Sequence, residues 1–199
     1  AIEVIKNLGK EAWCLHVSYI KPHWPYMAPD PYHKMYSKDD ILPPIRCDEE
    51  IKTRHSVVDA YAKHEESINF SKDACRERVI PSYMGLISEL DANIGRLIKF
   101  LENEGKIDDT IIVLTSDHGD YLGDHWLGEK ELFYESAIRI PMIIIDPGHE
   151  ASLTRGTSID EFVESIDLIP TFLEMAGSPH NHYHILEGRS LLPLLDSNL

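Results

Sequence analysis

The run Asp117-His118-Gly119-Asp120-Tyr121-Leu122-Gly123-Asp124-His125-Trp126-Leu127-Gly128-Glu129-Lys130 is the densest gathering of carboxylates, imidazoles and ammonium in the chain. An aspartate and a histidine adjacent at a strand end can both reach one ion, because the backbone there has left the alternating pleat. Carboxylate plus imidazole suits a divalent cation of mixed hardness such as Mn²⁺, whereas completion by further carboxylates suits Ca²⁺ or Mg²⁺. Two ligands do not make a site, and the sequence offers no second acidic pair following a strand. Asp117-His118-Gly119 equally fits a helix cap and turn after a core strand, since Asp and Gly are favoured in both roles. Asp124 and His125 read as turn residues within a loop, and Lys130 taken alone reads as a solvated lysine.

A second candidate is His23, held in Lys21-Pro22-His23-Trp24-Pro25-Tyr26. Prolines fix their own backbone and restrict the residue before them, and such stiffness pre-positions a side chain as a proton donor must be. The competing reading is a histidine packed in an aromatic turn. His180, His182 and His184 stand two apart, on one face if extended, but their surroundings have the polarity of an exposed loop rather than a metal centre. The acidic runs Asp48-Glu49-Glu50 and Glu65-Glu66 read as solvated helix faces.

The elements that must position these residues follow from periodicity. Trp13 to Tyr19 is a β-prone run that stops at Lys21-Pro22. From Pro22 to Pro44 the prolines and aromatics predict a long, ordered, functional loop. Polar helical character spans about 48 to 70, and a better helix about 71 to 104. In that helix Tyr83, Leu86, Ile87, Leu90, Ile94, Leu97, Ile98 and Leu101 recur at the spacing of one buried face. Pro81 predicts a break or kink in it, and Gly105 its end. Ile111 to Leu114 and Ile140 to Ile145 read as strands covered on both faces, the middle of an α/β sheet. The Asp117 motif then falls at the carboxyl end of the first strand, where open α/β sheets bind ligands. Ser165 to Gly177 reads as a helix with a proline in its first turns and a glycine stop.

Composition narrows the function. With 199 residues and a hydrophobic share of 43%, the chain has the size and core of one large α/β domain, or of a piece of something longer. Lys plus Arg is 19 and Asp plus Glu is 34, a formal charge of −15, and the sequence pI is near 5.0. That field repels phosphate backbones, which argues against nucleic acid as a partner. It also means that an anionic substrate needs local positive charge or a metal. No apolar run approaches the ~20 residues of a membrane span, and no secretory leader stands at the start, so a soluble chain is expected. Cys14, Cys47 and Cys75 cannot all pair with each other, and none lies in a C-x-x-C spacing. A reduced, cytoplasmic setting is the simpler expectation.

Ile111 to Pro147, with Thr115-Ser116-Asp117-His118-Gly119, Leu122-Gly123-Asp124-His125, Lys130 and Arg139-Ile140-Pro141, resembles the C-terminal half of the catalytic domain of sulfatases in the alkaline phosphatase superfamily. His16 to Tyr26 is similar to that family's substrate-histidine segment. Tyr83 to Leu97, Ser165 to Gly177 and Leu186 to Leu195 are similar as well. Pro44-Ile45-Arg46 and the Leu-Gly-Asp-His stretch bring the phosphonate monoester hydrolase branch nearest.

The resemblance implies an α/β, alkaline phosphatase-like sandwich with a central, mostly parallel sheet flanked by helices. Residues 1–199 would be the C-terminal portion of one catalytic domain, incomplete as it stands and missing its N-terminal half. It implies hydrolysis of a small-molecule sulfate, phosphonate or phosphate ester. Asp117 and His118 would be ligands of a divalent metal ion, calcium or manganese, with magnesium as the third choice. Lys130, thirteen residues after Asp117, would contact the nucleophile and the transferring group. His23 would bind the sulfuryl or phosphoryl oxygens or protonate the leaving oxygen. Trp24 stands where the family commonly has a small or apolar residue.

In that family the nucleophile is a formylglycine made from the cysteine of a C-x-P-x-R motif. None of Cys14, Cys47 and Cys75 begins one, and Leu42-Pro43-Pro44-Ile45-Arg46 has the outline with a leucine that cannot serve. The formylglycine is therefore expected upstream of Ala1, and the isolated chain is expected to bind metal poorly and turn over nothing. Two alternatives stay open: a non-catalytic binding or assembly module that keeps the fold, and a phosphodiesterase of the same superfamily with a Ser or Thr nucleophile. A homo-oligomer also remains open.

Overall fold

Ordered secondary structure begins with a short helix, α1 (Ile2–Leu8), after which the chain stays extended without pairing as far as the first proline-rich turns. The computed structural model describes residues 1–178 and 185–196. Trp13, Leu15 and Val17 are half-buried while Cys14, His16 and Ser18 are exposed, the alternation expected of a strand. No ladder forms there, which corrects the strand expected at 13–19. Alternation fixes the extended backbone, but a strand needs a neighbouring edge, and the described residues supply none.

The long loop is ordered, as expected, and includes two single turns of 3₁₀ helix, Tyr32–Lys34 and Lys38–Asp40. The second is closed by a capping box between Ser37 and Asp40. The polar helical stretch breaks into α2 (Asp48–Thr53), α3 (Ser56–Tyr61) and α4 (Glu65–Phe70). Acidic side chains open α2 and α4, where the helix dipole favours them. The imidazole of His55 accepts from the Val57 amide and so starts α3.

α5 (Asp73–Asn103) runs 31 residues straight through Pro81, so no break occurs there. Proline removes one ladder bond, and a helix of this length has many others to carry it across. Leu86 and Leu101 are buried on its apolar face, whereas Ile87 is 42% exposed. Gly105, at φ +62°, ends the helix in the left-handed region.

β1 (Ile112–Thr115) and β2 (Met142–Ile145) pair antiparallel, with Ile112 opposite Ile145 and Thr115 opposite Met142. Among the described residues these two strands are the whole sheet. Both were read as covered on each face, yet Ile143 is 52% and Ile145 39% exposed, so one face of β2 is open. α6 (Glu135–Ile138) precedes β2, and α7 (Leu168–Met175) and α8 (Leu192–Leu195) follow it. α7 contains Pro170 and ends before Gly177 at φ +64°.

The chain divides into two compact units. The first comprises Ala1–Glu104 and His118–Ile140, the second Gly105–Asp117 and Pro141–Leu199. In the first, Tyr121, Leu127 and Ala137 are buried together, with Val58, Tyr61, Ala62, Leu132 and Tyr134 packed around them. Leu127 alone contributes about 1.5–3 kcal/mol by leaving water, and its burial fixes the loop that precedes Lys130. In the second unit, the buried Thr171 hydroxyl donates to the Asp167 carbonyl oxygen and accepts from the Leu191 amide, tying the 187–191 segment to α7. No helix of the described residues is long and apolar enough to cross a membrane.

Candidate functional site

His23 and Lys130, 107 positions apart in the chain, come together in the first unit. The Lys130 Nζ lies 3.2 Å from His23 Nε2. The His23 Nδ1 is 3.0 Å from the carbonyl oxygen of Trp24, so Nδ1 carries the proton and Nε2 accepts from the ammonium. An imidazole acceptor and an ammonium donor thus share one proton path at an accessible surface. The bland readings, a packed histidine and a lone solvated lysine, do not describe this pair.

Two loops build it. In the first, the Lys21 ammonium donates to the carbonyl oxygens of His23 (3.0 Å) and Pro25 (2.6 Å), and the His23 amide donates to Ile20. Pro22 and Pro25 stiffen the same turn. Tyr26 anchors it to the scaffold: its ring packs edge-on against Phe70 and Tyr83, and its carbonyl oxygen accepts from Ser82 of α5. The Tyr26 hydroxyl donates to Asp120 at 2.7 Å, joining the first loop to the second.

The second loop is held by bonds from Gly119 to Ala137, Tyr121 to Glu129, and Gly123 to Leu127. Leu122, His125, Trp126 and Glu129 have φ between 46° and 60°, in the left-handed region, and Gly123 has φ 101°. Non-glycine residues there cost about 1–3 kcal/mol each and persist only where the surroundings over-determine them. Three arginines do so. Arg46 donates to the Gly123 and Phe70 carbonyl oxygens and pairs with Asp73, and the buried Arg76 donates to the Leu122 and Leu42 carbonyl oxygens. Arg54 donates to the His125 carbonyl oxygen, and Arg46 and Arg54 lie 5.6 and 5.7 Å from the Trp126 ring. Asp124 accepts from the Ile45 amide and the Ser136 hydroxyl. The Leu42–Arg46 stretch therefore braces the turn that leads to Lys130.

His125 stacks on Tyr134 at 4.0 Å and its Nδ1 lies 3.0 Å from Glu50. Glu50 thus leaves the solvated helix face expected of it and ties α2 to the turn. The three histidines at 180, 182 and 184 lie outside the described residues.

Asp120, which sequence reasoning passed over, is the electrostatic centre of the first unit's site. Burial pushes its carboxyl above the ordinary carboxylate range, while the Tyr26 hydroxyl, the Leu122 amide, Lys130 and His118 pull it down. Burial and the Asp120 charge raise the Tyr26 phenol in turn and push Tyr83 up to about 12. Both phenols accordingly remain protonated, and that of Tyr26 donates to Asp120. The available signal was a second acid immediately after Asp117-His118-Gly119.

The chain passes from one unit to the other at three points, one of them the Asp117–His118 peptide bond. In the first unit, His118 is half-buried, with Nδ1 2.7 Å from the Gly119 carbonyl oxygen. That bond places the proton on Nδ1 and the lone pair on Nε2, the tautomer that metal ligation through Nε2 requires. In the second, the exposed Asp117 accepts from the Ser116 hydroxyl at 3.3 Å. No group of three His, Cys, Asp or Glu side chains able to hold a metal ion occurs among the described residues. The donor chemistry of Asp117 and His118 thus fits two ligands of a divalent cation, and a complete site needs others.

Comparison with known proteins gives this geometry a context. The family model described as Sulfatase matches residues 1–178. The multifunctional alkaline phosphatase superfamily protein PehA of Trinickia caryophylli is 35% identical over 210 aligned positions, covering 98% of this chain and 40% of that protein. An arylsulfatase of Clostridium perfringens is 33% identical, with 92% of this chain and 37% of that protein covered. Among solved structures, the phosphonate monoester hydrolase SpPMH from Silicibacter pomeroyi superposes with a TM-score of 0.87 at 32% identity, over 98% of this chain and 39% of that one. The fold class is accordingly alkaline phosphatase-like α/β, present here as an incomplete domain, and the chain spans about two fifths of the length of these relatives.

Proposed function

Because this chain belongs to the sulfatase family, we propose that it supplies part of the active site of a hydrolase of sulfate or phosphonate esters. The observation that carries the reading is the Lys130 ammonium 3.2 Å from the His23 imidazole, on two loops that the fold goes to some length to lock together. We take 1–199 as a portion of a single catalytic domain whose remaining ligands and nucleophile come from the rest of the polypeptide. A reduced, cytoplasmic setting is supported by three separate thiols.

A formylglycine and a divalent cation, calcium or manganese with magnesium as third choice, would supply the nucleophile and Lewis-acid chemistry when present. Asp117 and His118 would hold the cation through a carboxylate oxygen and Nε2, a proposal resting on their adjacency in the chain and the His118 tautomer. Lys130 offsets negative charge on the sulfuryl or phosphoryl oxygens, where a fixed ammonium costs no reorganisation. The leaving oxygen takes a proton that the Lys130 ammonium gives up through His23 Nε2, which leaves Lys130 as the neutral amine and His23 as it began. Lys130 also answers the electrostatic problem of an anionic ester approaching a chain of charge −15.

The test uses the complete polypeptide stripped with chelator and assayed on p-nitrophenyl sulfate and p-nitrophenyl phenylphosphonate. Hydrolysis should return on titration with Ca²⁺ or Mn²⁺, and H118A and D117N should each raise the metal concentration required at least about tenfold. Full activity in excess chelator, or an unchanged metal requirement in both variants, would overturn the reading.

A further inference from the structure

The Lys130 Nζ to His23 Nε2 separation of 3.2 Å stands at the outer end of the range for direct proton transfer, about 2.6–3.2 Å. A small widening would open the path. His23 is exposed and Lys130 half-buried, so water competes for both ends of this contact. A hydrogen bond in competition with water has little net strength with which to hold two loops together. The separation must therefore be set elsewhere.

The Tyr26–Asp120 bond crosses between the same two loops, from the third residue after His23 to the tenth before Lys130. Both partners are half-buried, and both are held. Asp120 gives one carboxylate oxygen to the Tyr26 hydroxyl at 2.7 Å and the other to the Leu122 amide at 3.0 Å, which fixes the plane of the carboxylate. Its backbone follows Gly119, whose amide donates to the Ala137 carbonyl oxygen at 2.6 Å and where a Cβ would overlap the carbonyl oxygen of Ser136. On the other loop, the Tyr26 ring meets Phe70 and Tyr83 edge-on at 5.9 and 6.0 Å between centroids, and its carbonyl oxygen accepts from Ser82. A short bond between two immobilised ends sets the span between the loops that carry them.

We propose that Tyr26 and Asp120 are positioning residues, whose hydrogen bond keeps the two loops at the separation at which the Lys130 ammonium reaches His23 Nε2. The proposal rests on the reading of Lys130 and His23 as the relay that protonates the leaving oxygen. It carries a consequence for which esters suffer when the bond is lost. p-Nitrophenolate is a weak base and departs with little help from a proton, whereas phenolate is a stronger base and needs it. A misaligned relay therefore harms the phenyl ester more.

The experiment measures kcat/KM for p-nitrophenyl and phenyl esters, each offered as the sulfate and as the phosphonate, in the complete polypeptide with saturating metal. Wild type, Y26F, D120N, D120A and K130A are compared below the melting temperature of every variant. Y26F keeps the ring and removes only the hydroxyl. It should lower phenyl-ester turnover about 10- to 100-fold, the scale of a misplacement near 1 Å, and p-nitrophenyl turnover at least about threefold less than that. D120N retains an oxygen for the Tyr26 hydroxyl and should stay closer to wild type on the phenyl ester than D120A. Should Y26F fail to fold, D120N against D120A carries the same comparison. A role in stability alone removes active protein and lowers both leaving groups by one factor, so equal losses in Y26F, or none, would overturn the proposal. K130A separates this from the reading beneath it. Equal losses on the two leaving groups in K130A remove the relay itself, whereas a larger phenyl loss in K130A with none in Y26F overturns the positioning role alone. A wild-type protein that cleaves none of the four esters removes the hydrolase reading before any variant is made.

Discussion

At the scale of single residues, the Tyr26 hydroxyl, the Leu122 amide and the Lys130 ammonium converge on one half-buried acid, Asp120. Asp120 is held above the ordinary carboxylate range by burial first of all, with Tyr26, Leu122, Lys130 and His118 opposing. The folded chain therefore keeps this proton to higher pH than the unfolded chain, whose aspartates titrate near about 3.9. Stability falls as pH rises through the raised value, since the folded state binds more protons than the unfolded one in that window. D120N retains an oxygen to accept from Tyr26 and abolishes the titration. Its melting temperature should change less than that of the wild type between about pH 4 and pH 7, as read by thermal denaturation across that range. Parallel curves for the two proteins would refute the assignment. His23 was legible as a candidate from residue type and stiff flanks, and Lys130 only through the family resemblance, since alone it reads as a solvated lysine. Their meeting was not, because nothing local encodes a contact across 107 positions. Asp120 was missed because an acid in a glycine-rich turn reads as surface, and only the packing of Tyr26 and Tyr83 around it shows otherwise.

At the scale of elements, the turn from Leu122 to Trp126 decides where Lys130 points. Its left-handed residues are paid for by Arg46, Arg54 and Arg76, whose guanidinium groups satisfy the carbonyl oxygens that the turn leaves outward. Gly123 is the tightest point. A Cβ there would overlap the Arg76 side chain and come within 2.8 Å of the Phe70 carbonyl oxygen, at φ 101°. G123A should destabilise the protein by about 2–3 kcal/mol, a fall in melting temperature of roughly 4–12 °C. G105A is the control, because φ is +62° there but nothing lies within 4 Å, so only the backbone cost of about 1 kcal/mol applies. Equal melting temperatures for the two variants would contradict the clamp. The helices at 48–70 and 73–103, the helix ending at Gly177 and both strands were readable from period and punctuation. Strand pairing at 13–19 was not realised, and Pro81 did not break α5. Periodicity reports which face is buried, whereas pairing and helix continuity depend on neighbours that a local pattern does not contain.

At the scale of the whole molecule, the chain combines a formal charge of −15 with one ammonium, that of Lys130, held against the His23 imidazole. A distributed acidic surface repels polyanions, and under the proposed function the single ammonium would offset the charge of one small anionic group. The chain covers about two fifths of its relatives, and large apolar side chains stand open on it, Ile143 at 52% and Phe133 at 89% exposure among them. Within that frame the family resemblance carried the functional reading farther than composition could, since carboxylate, imidazole and ammonium are common residues and only their joint spacing is distinctive. The measurement that bears most directly on the account is kcat/KM for p-nitrophenyl sulfate and p-nitrophenyl phenylphosphonate in the complete polypeptide, with and without the K130A change and with the fold checked by its melting temperature. A loss of about 10²- to 10⁴-fold on the preferred ester with the melting temperature retained is predicted; turnover within about twofold of wild type would show that the Lys130–His23 pair is not the catalytic centre.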